Sequence, residues 1–168
     1  MFKIALNTST LKNWDLSLEE KIDIVAEAGY DGIEPWIREI ESYRESGGRL
    51  SDLRKRLEDA GLAVVGAIGF AAWGAEDAGA RASALEQAKR EMAMVAEIGG
   101  TRMAAPACGE IGDPSLDELG ERFGALVDAA KGTGVTPDLE LWGFAKRLHH
   151  FSELLYVTSA AGCRETSV

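Results

Sequence analysis

The chain has 168 residues, of which 46% are apolar and 27% are charged, and its formal net charge is −10. This length favours a single domain with one hydrophobic core. No apolar run approaches the ~20 residues that a membrane span needs, so we expect no membrane partner. The opening residues MFKIALNTST lack the pattern of a secretion signal, which predicts a cytoplasmic protein. The strong negative charge repels polyanions, so we also expect no nucleic-acid partner.

Five short apolar segments alternate with longer segments of helical periodicity. The predicted strands are, in chain order, Lys3–Leu6, Gly32–Glu34, Leu62–Ile68, Arg102–Ala105 and Thr136–Leu141. Apolar residues three and four positions apart predict helices over residues 17–29, 50–61, 82–100, 115–134 and 144–162. The last predicted helix contains His149 and His150, which we therefore interpret as surface or interface residues and not as metal ligands.

A glycine ends each predicted helix just before the next strand: Gly29, Gly61, Gly99 and Gly134. Glycine at this position supplies the left-handed conformation that stops a helix. Repeated helix–glycine–strand units predict parallel strands joined by right-handed crossovers. A doubly wound sheet usually has a glycine-rich turn after its first strand, but LNTSTLKNW contains no glycine. The sequence therefore favours a β/α barrel, whose functional residues lie after the strands.

Polar and aromatic residues gather where the predicted strands end. Asn7, Glu34 and Glu140 each close a strand. The tryptophans also follow predicted strands: Trp14, Trp36, Trp73 and Trp142. One interpretation is that these rings only cap the barrel core; the other is that they form one aromatic-walled pocket with polar groups at its base. Such a pocket suits a small polyhydroxylated ligand.

Three segments resemble the xylose isomerase-like barrel superfamily: YDGIEPW, GVTPDLELWG and LLYVTSAAG. This superfamily includes sugar phosphate isomerases and epimerases, inosose dehydratases and endonuclease-IV-type enzymes. The resemblance runs from Phe2 to about Gly162, so it predicts a family domain over residues 1–162 and a non-family tail over residues 163–168. The two cysteines, Cys108 and Cys163, are expected to be free thiols.

The resemblance implies roles for several residues. In this family a glutamate at the end of the fifth strand binds a divalent metal (Mn, Mg, Co or Zn) and, in the epimerases, moves a proton. Glu140 matches that glutamate, and Glu34 matches the family's acid after the second strand, which contacts the substrate or the residues that hold it. The substrate contacts expected with them are Asn7, Trp36, Trp73 and Trp142.

The chain also departs from the family, which has eight strands and further Asp, His and Glu ligands on the later ones. This sequence has room for about five β/α units and contains no D-x-x-H pattern after a sixth strand. We therefore expect an incomplete, truncated barrel that binds metal weakly or not at all and self-associates through open sheet edges. Three functions remain open: an impaired sugar isomerase or epimerase, a non-catalytic carbohydrate-binding fragment, and a DNA-repair endonuclease, which the negative charge disfavours.

Overall fold

The computed structural model describes residues 2–162, which form five strands and six α-helices in alternation. The strands are β1 (Ala5–Asn7), β2 (Gly32–Glu34), β3 (Ala63–Val64), β4 (Arg102–Pro106) and β5 (Thr136–Glu140). The helices are α1 (Leu18–Glu27), α2 (Ile37–Glu45), α3 (Leu50–Asp59), α4 (Ala78–Glu97), α5 (Leu116–Ala130) and α6 (Phe151–Ala160). All neighbouring strands are parallel, as the repeated β/α units predict.

The strands follow one another around an arc in chain order. Strands β1, β2 and β3 form one sheet, and β4 pairs with β5. Ile68 joins the two groups, because it forms parallel bridges with Trp36 on one side and Ala104 on the other. Within residues 2–162, β1 and β5 do not pair with each other. The predicted incomplete barrel of about five of eight units is confirmed.

The third strand is irregular beyond β3. Val64 pairs with Ile33, but Ile68 pairs with Trp36, so three residues of the third strand lie opposite two of the second. This is a β-bulge, which bends a strand and redirects its side chains. The predicted strand Leu62–Ile68 follows the observed path, but its regular part is limited to β3.

Three of the four predicted helix-ending glycines directly follow a helix: Gly29, Gly61 and Gly99, with φ angles of +80°, +69° and +94°. A side chain is disfavoured in this left-handed region, so glycine ends these helices at little steric cost. The prediction for Gly134 is wrong by two residues, because α5 ends at Ala130 and Gly132, with a φ of +85°, follows its C-cap. Gly134 also has a positive φ, +80°, but lies in the turn before β5.

Two helix predictions need correction. Helix α2 is present between β2 and α3, where no helix was predicted. The last helix starts at Phe151 and not at residue 144, so His149 and His150 precede it. Leu148 has a φ of 56°, which a helix interior does not allow, and Glu153 Oε2 accepts hydrogen bonds from the backbone N–H groups of His149 and His150.

The hydrophobic core lies between the sheet and the helices. Its central side chains are at most 2% exposed and include Ile33, Met92, Met103, Phe123 and Leu139. The opposite face of the sheet lines an open cavity and carries polar side chains at the strand ends. Across residues 2–162, no helix combines the length and the apolar character that membrane crossing requires.

Candidate functional site

Asn7 and Glu34 meet at the carboxyl ends of β1 and β2, where they are register partners. Asn7 Nδ2 donates a hydrogen bond to Glu34 Oε2 at 2.7 Å. Asn7 Oδ1 accepts from the Trp36 indole Nε1 at 3.0 Å and from the Ser9 backbone N–H at 2.9 Å. Both polar atoms of the Asn7 side-chain amide are thus hydrogen-bonded, and the amide links the Glu34 carboxylate to the Trp36 ring.

The bulge of the third strand makes room for Glu34. A Cβ atom placed on Gly66 would lie 3.1 Å from Glu34 Oε1, closer than side-chain packing ordinarily allows. Any larger residue at this position would push the carboxylate away from its present place. Gly66 therefore helps to set the position of Glu34 at the rim.

Glu140 ends β5 and is half-buried. Among the described residues, its Oε2 atom is buried without a hydrogen-bond partner. Burial raises the pKa of Glu140 above its ordinary value, a hydrogen bond with the Trp142 side chain opposes this shift, and the negative charge of Glu34 adds to it. A carboxylate with a raised pKa is suited to accept and return a proton near neutral pH.

The two glutamates line one open cavity of about 490 Å³. Its lining residues are Asn7, Glu34, Ile68, Ala104, Asp138, Leu139, Glu140, Leu141, Phe151 and Leu154. None of these is basic. The sequence analysis missed Asp138, although it lies two residues before Glu140 and so faces the same side of β5. Arg102 Nε donates to Asp138 Oδ2 at 2.7 Å, so this acid is paired.

Four aromatic rings form a continuous row, which we call the aromatic row: Trp36, Phe70, Trp142 and Phe144. None of the four lines the cavity, but Trp36 is hydrogen-bonded to Asn7, which does. Successive ring centroids are 4.9, 6.1 and 5.2 Å apart. The Arg38 guanidinium lies 4.3 Å from the centroid of the Trp36 ring, a cation–π contact at one end of the row. The sequence placed Trp36 and Trp142 near the ligand, and the structure joins them through Phe70.

The other two tryptophans lie elsewhere. Trp73 is 1% exposed and packs against Phe123, with 5.3 Å between ring centroids. It borders a separate cleft between α4 and α5, because Arg122 on α5 holds the loop through a hydrogen bond to the Gly74 carbonyl. Trp14 is 60% exposed in the loop after β1. Trp73 is not among the residues that line the cavity of Glu34 and Glu140, and its contact with a substrate stays a prediction.

Cys108 is a further group beside the site that the sequence did not single out. This half-buried free thiol follows β4. Burial raises the pKa of Cys108, and the negative charge of Glu140 adds to the shift. Cys163 and the predicted tail of residues 163–168 lie outside the described residues.

The described residues do not by themselves fit a divalent metal. Across residues 2–162, no three His, Cys, Asp or Glu side chains are grouped so that they could hold an ion. Glu140 offers one unpartnered oxygen, whereas a catalytic ion in a protein usually needs about three protein ligands in fixed geometry. His149 and His150 stack on each other before α6, and His149 Nδ1 lies 3.5 Å from Glu153 Oε2.

A model of the family described as xylose isomerase-like TIM barrel matches residues 22–165. The chain belongs to this family. The match includes both glutamates of the site and four of the five strands, β2 to β5. A search of curated proteins finds no matching relative.

Several solved structures share the fold of this chain. The protein IOLI, described with a bound zinc atom, superimposes with a TM-score of 0.83 at 18% identity; the match covers 99% of this chain and 62% of that one. For 3-keto-D-glucoside 4-epimerase YcjR from E. coli, the TM-score is 0.79 at 19% identity, with 99% and 67% covered. For an L-ribulose 3-epimerase, the TM-score is 0.78 at 20% identity, with 99% and 59% covered. The chain thus spans about three fifths to two thirds of these structures.

Proposed function

We propose that this chain carries the proton-moving carboxylate and part of the substrate site of a sugar or sugar-phosphate isomerase or epimerase. The observation that carries the proposal is the meeting of Glu34 and Glu140 at one rim, with a raised pKa at Glu140. Two of the similar structures are described as epimerases, which supports the same reaction class. The cavity of about 490 Å³ has room for a sugar ring.

The chemistry begins at a carbon next to the carbonyl group of the sugar. Glu140 takes the proton from this carbon as a general base, and the bonding electrons pass to the carbonyl oxygen to give an enediolate. If a second donor, such as a water molecule, gives a proton to the opposite face of the same carbon while Glu140 releases the abstracted proton to solvent, the carbon is inverted, which is epimerisation. Return of the proton to the neighbouring carbon, with transfer of a hydroxyl proton, moves the carbonyl group, which is isomerisation.

Asn7 and Glu34 would position the sugar during this transfer. Glu34 has acceptor capacity beyond its bond from Asn7, so it can accept hydrogen bonds from sugar hydroxyl groups. The indole–amide–carboxylate chain from Trp36 through Asn7 holds this acceptor in place. The described residues supply one candidate metal ligand and not a complete set. We therefore assign the proposed proton transfer to the carboxylates.

The second candidate is a carbohydrate-binding fragment without catalysis. It is favoured by the open cavity and by the incomplete metal-ligand set of the described residues. The two candidates differ in one observable property: an isomerase or epimerase exchanges a carbon-bound proton with solvent, and a binding module does not.

Proton NMR in D₂O separates them. We expect D-fructose or L-ribulose to lose the signal of the proton next to the carbonyl when incubated with the chain. Glu140→Gln should slow this exchange by about 10²–10⁴-fold, the usual contribution of a general base. Glu45→Gln, a change at an exposed acid on α2, is the matched control. Sugar binding without exchange would contradict the isomerase and support the binding module.

A further inference from the structure

The aromatic row starts beside the cavity and extends into solvent. Trp36 is hydrogen-bonded to Asn7, which lines the cavity, and Trp142 lies two residues after Glu140, which also lines it. Phe70 joins these two rings and is 37% exposed, and Phe144 at the far end is 83% exposed. A ligand held by the carboxylates therefore has an apolar surface beside it that continues beyond the cavity.

The acidic residues that line the cavity disfavour the binding of an anionic group. Three acids line it, namely Glu34, Asp138 and Glu140, and no described lining residue is basic. Arg102 is paired with Asp138, and Arg38 lies on the Trp36 ring. A phosphate group next to unpaired carboxylates would be repelled.

We infer that the substrate is an uncharged sugar of more than one ring, in which the reacting sugar lies at Glu34 and Glu140 and the second ring lies on the aromatic row. This inference rests on the proposed function and narrows its substrate class. A reducing disaccharide that keeps a free ketone has both required parts: an acidic carbon-bound proton and an uncharged second ring.

The row provides the right surface for that second ring. Aromatic faces carry negative charge density, so the weakly positive C–H groups of a sugar ring stack on them. The three consecutive ring–ring contacts form one extended surface. They do not form a cage that would enclose a single small group. An exposed phenylalanine is otherwise unfavourable in water, and a stacked ring would cover the Phe144 side chain.

Three ketoses that differ in one group test the inference by saturation-transfer NMR: D-fructose, lactulose and fructose 6-phosphate. Lactulose is fructose with an added galactose ring. We expect it to bind about three- to tenfold more tightly than D-fructose, which is the gain in affinity that one good aromatic contact provides. Fructose 6-phosphate should bind more weakly than D-fructose. Phe144→Ala should remove the advantage of lactulose, and Phe2→Ala, a change at a 98% exposed ring before β1, should keep it.

The outcomes separate this inference from the proposed function. Equal binding of lactulose and D-fructose, or tighter binding of the phosphate, would overturn the inference. If Glu140-dependent exchange of D-fructose persisted in that case, the proposed function would stand without it. If none of the three ketoses bound or exchanged, both would be wrong.

Discussion

Glu91 is a buried carboxylate on α4 outside the candidate site. It is 3% exposed, its Oε1 accepts a hydrogen bond from Gln87 Nε2 at 2.7 Å, and its Oε2 is buried without a partner among the described residues. Burial raises the pKa of Glu91, the Gln87 hydrogen bond opposes the shift, and the negative charge of Glu41 adds to it. The folded state therefore holds the Glu91 proton more tightly than the unfolded state does.

This residue should make stability fall as pH rises. An acid with a raised pKa in the folded state stabilises the fold fully below its unfolded pKa of about 4.5, and this contribution is lost as pH rises through the folded pKa. Glu140 contributes with the same sign. Urea unfolding between pH 5 and pH 8 is the measurement. We expect Glu91→Gln to flatten the decline, whereas Glu97→Gln, at an exposed position on the same helix, leaves the slope unchanged. An unchanged slope in Glu91→Gln would contradict the assignment.

Glu140 also allows a prediction about metal. Because one carboxylate cannot hold a catalytic divalent ion, we expect Mn²⁺ or Mg²⁺ to bind the chain more weakly than micromolar in isothermal titration. Glu140→Gln should then have little effect on the isotherm. Micromolar binding that disappears in Glu140→Gln would show the opposite and would require ligands from another chain.

At the scale of the elements, one carboxylate ties two helices to the site. Glu39 on α2 forms an ion pair of 2.6 Å with Lys21 on α1, and both side chains are largely buried. Glu39 also accepts hydrogen bonds from the Trp36 backbone N–H and the Thr8 hydroxyl. These contacts fix the start of α2 and the residues that follow Asn7 and Glu34 on their strands.

Removing this charge should destabilise the protein strongly. Glu39→Gln leaves the Lys21 ammonium buried without an anion, which typically costs about 3–5 kcal/mol of folding free energy. Glu58→Gln breaks an exposed pair with Arg54 on α3 and should cost far less. Chemical denaturation of the two variants gives the comparison. A similar small loss in both would mean that the Lys21–Glu39 pair is not buried in solution.

The sequence predicted those elements whose signals are local. Helices α1 and α5 have clear apolar periodicity and serine capping boxes, and the glycines mark their ends. Helix α2 was missed because only Ile37 and Ile40 are buried in nine residues and its capping position holds Trp36. The residues before α6 have helical periodicity. Leu148 among them nevertheless has a positive φ angle and is buried in the core at 1% exposure, so tertiary packing overrides the local helical preference.

The sequence predicted the strand-end residues of the candidate site but not the conformation of its loops. Asn7, Glu34 and Glu140 follow from the rule that parallel strands bring their carboxyl ends to one rim. The inward fold of the loop that holds Trp73 depends on contacts with α5, such as the bond from Arg122 to Gly74. Such contacts between distant segments leave no periodic pattern in the sequence.

At the scale of the whole molecule, the arc leaves two outer strands. Within residues 2–162, β1 and β5 each have one strand neighbour, so their other edges are open. Apolar side chains lie beside both: Phe2 and Ile4 are 98% and 55% exposed near β1, and Phe151 and Leu155 are 60% and 47% exposed on α6. Open edges with neighbouring apolar groups favour association.

We therefore expect the isolated chain to self-associate at micromolar concentration. Sedimentation velocity should show species larger than the monomer, and the double change Phe151→Ser with Leu155→Ser should shift them towards the monomer. A single monomeric species that melts cooperatively above ~60 °C, high in the usual mesophile range, would contradict the prediction and show that the open arc is stable by itself.

The arc of the sheet brings Glu34 on β2 and Glu140 on β5 to one cavity. Carboxyl ¹³C NMR titration of glutamate-labelled protein measures this directly, with Glu140→Gln to assign the signal. We predict that Glu140 has a pKa above its ordinary value of 4.5 and that Glu34→Gln lowers it, because the neighbouring negative charge is gone. Glu45→Gln should leave it unchanged. An unshifted pKa for Glu140, or one that Glu34→Gln does not move, would show that the two carboxylates do not share a site.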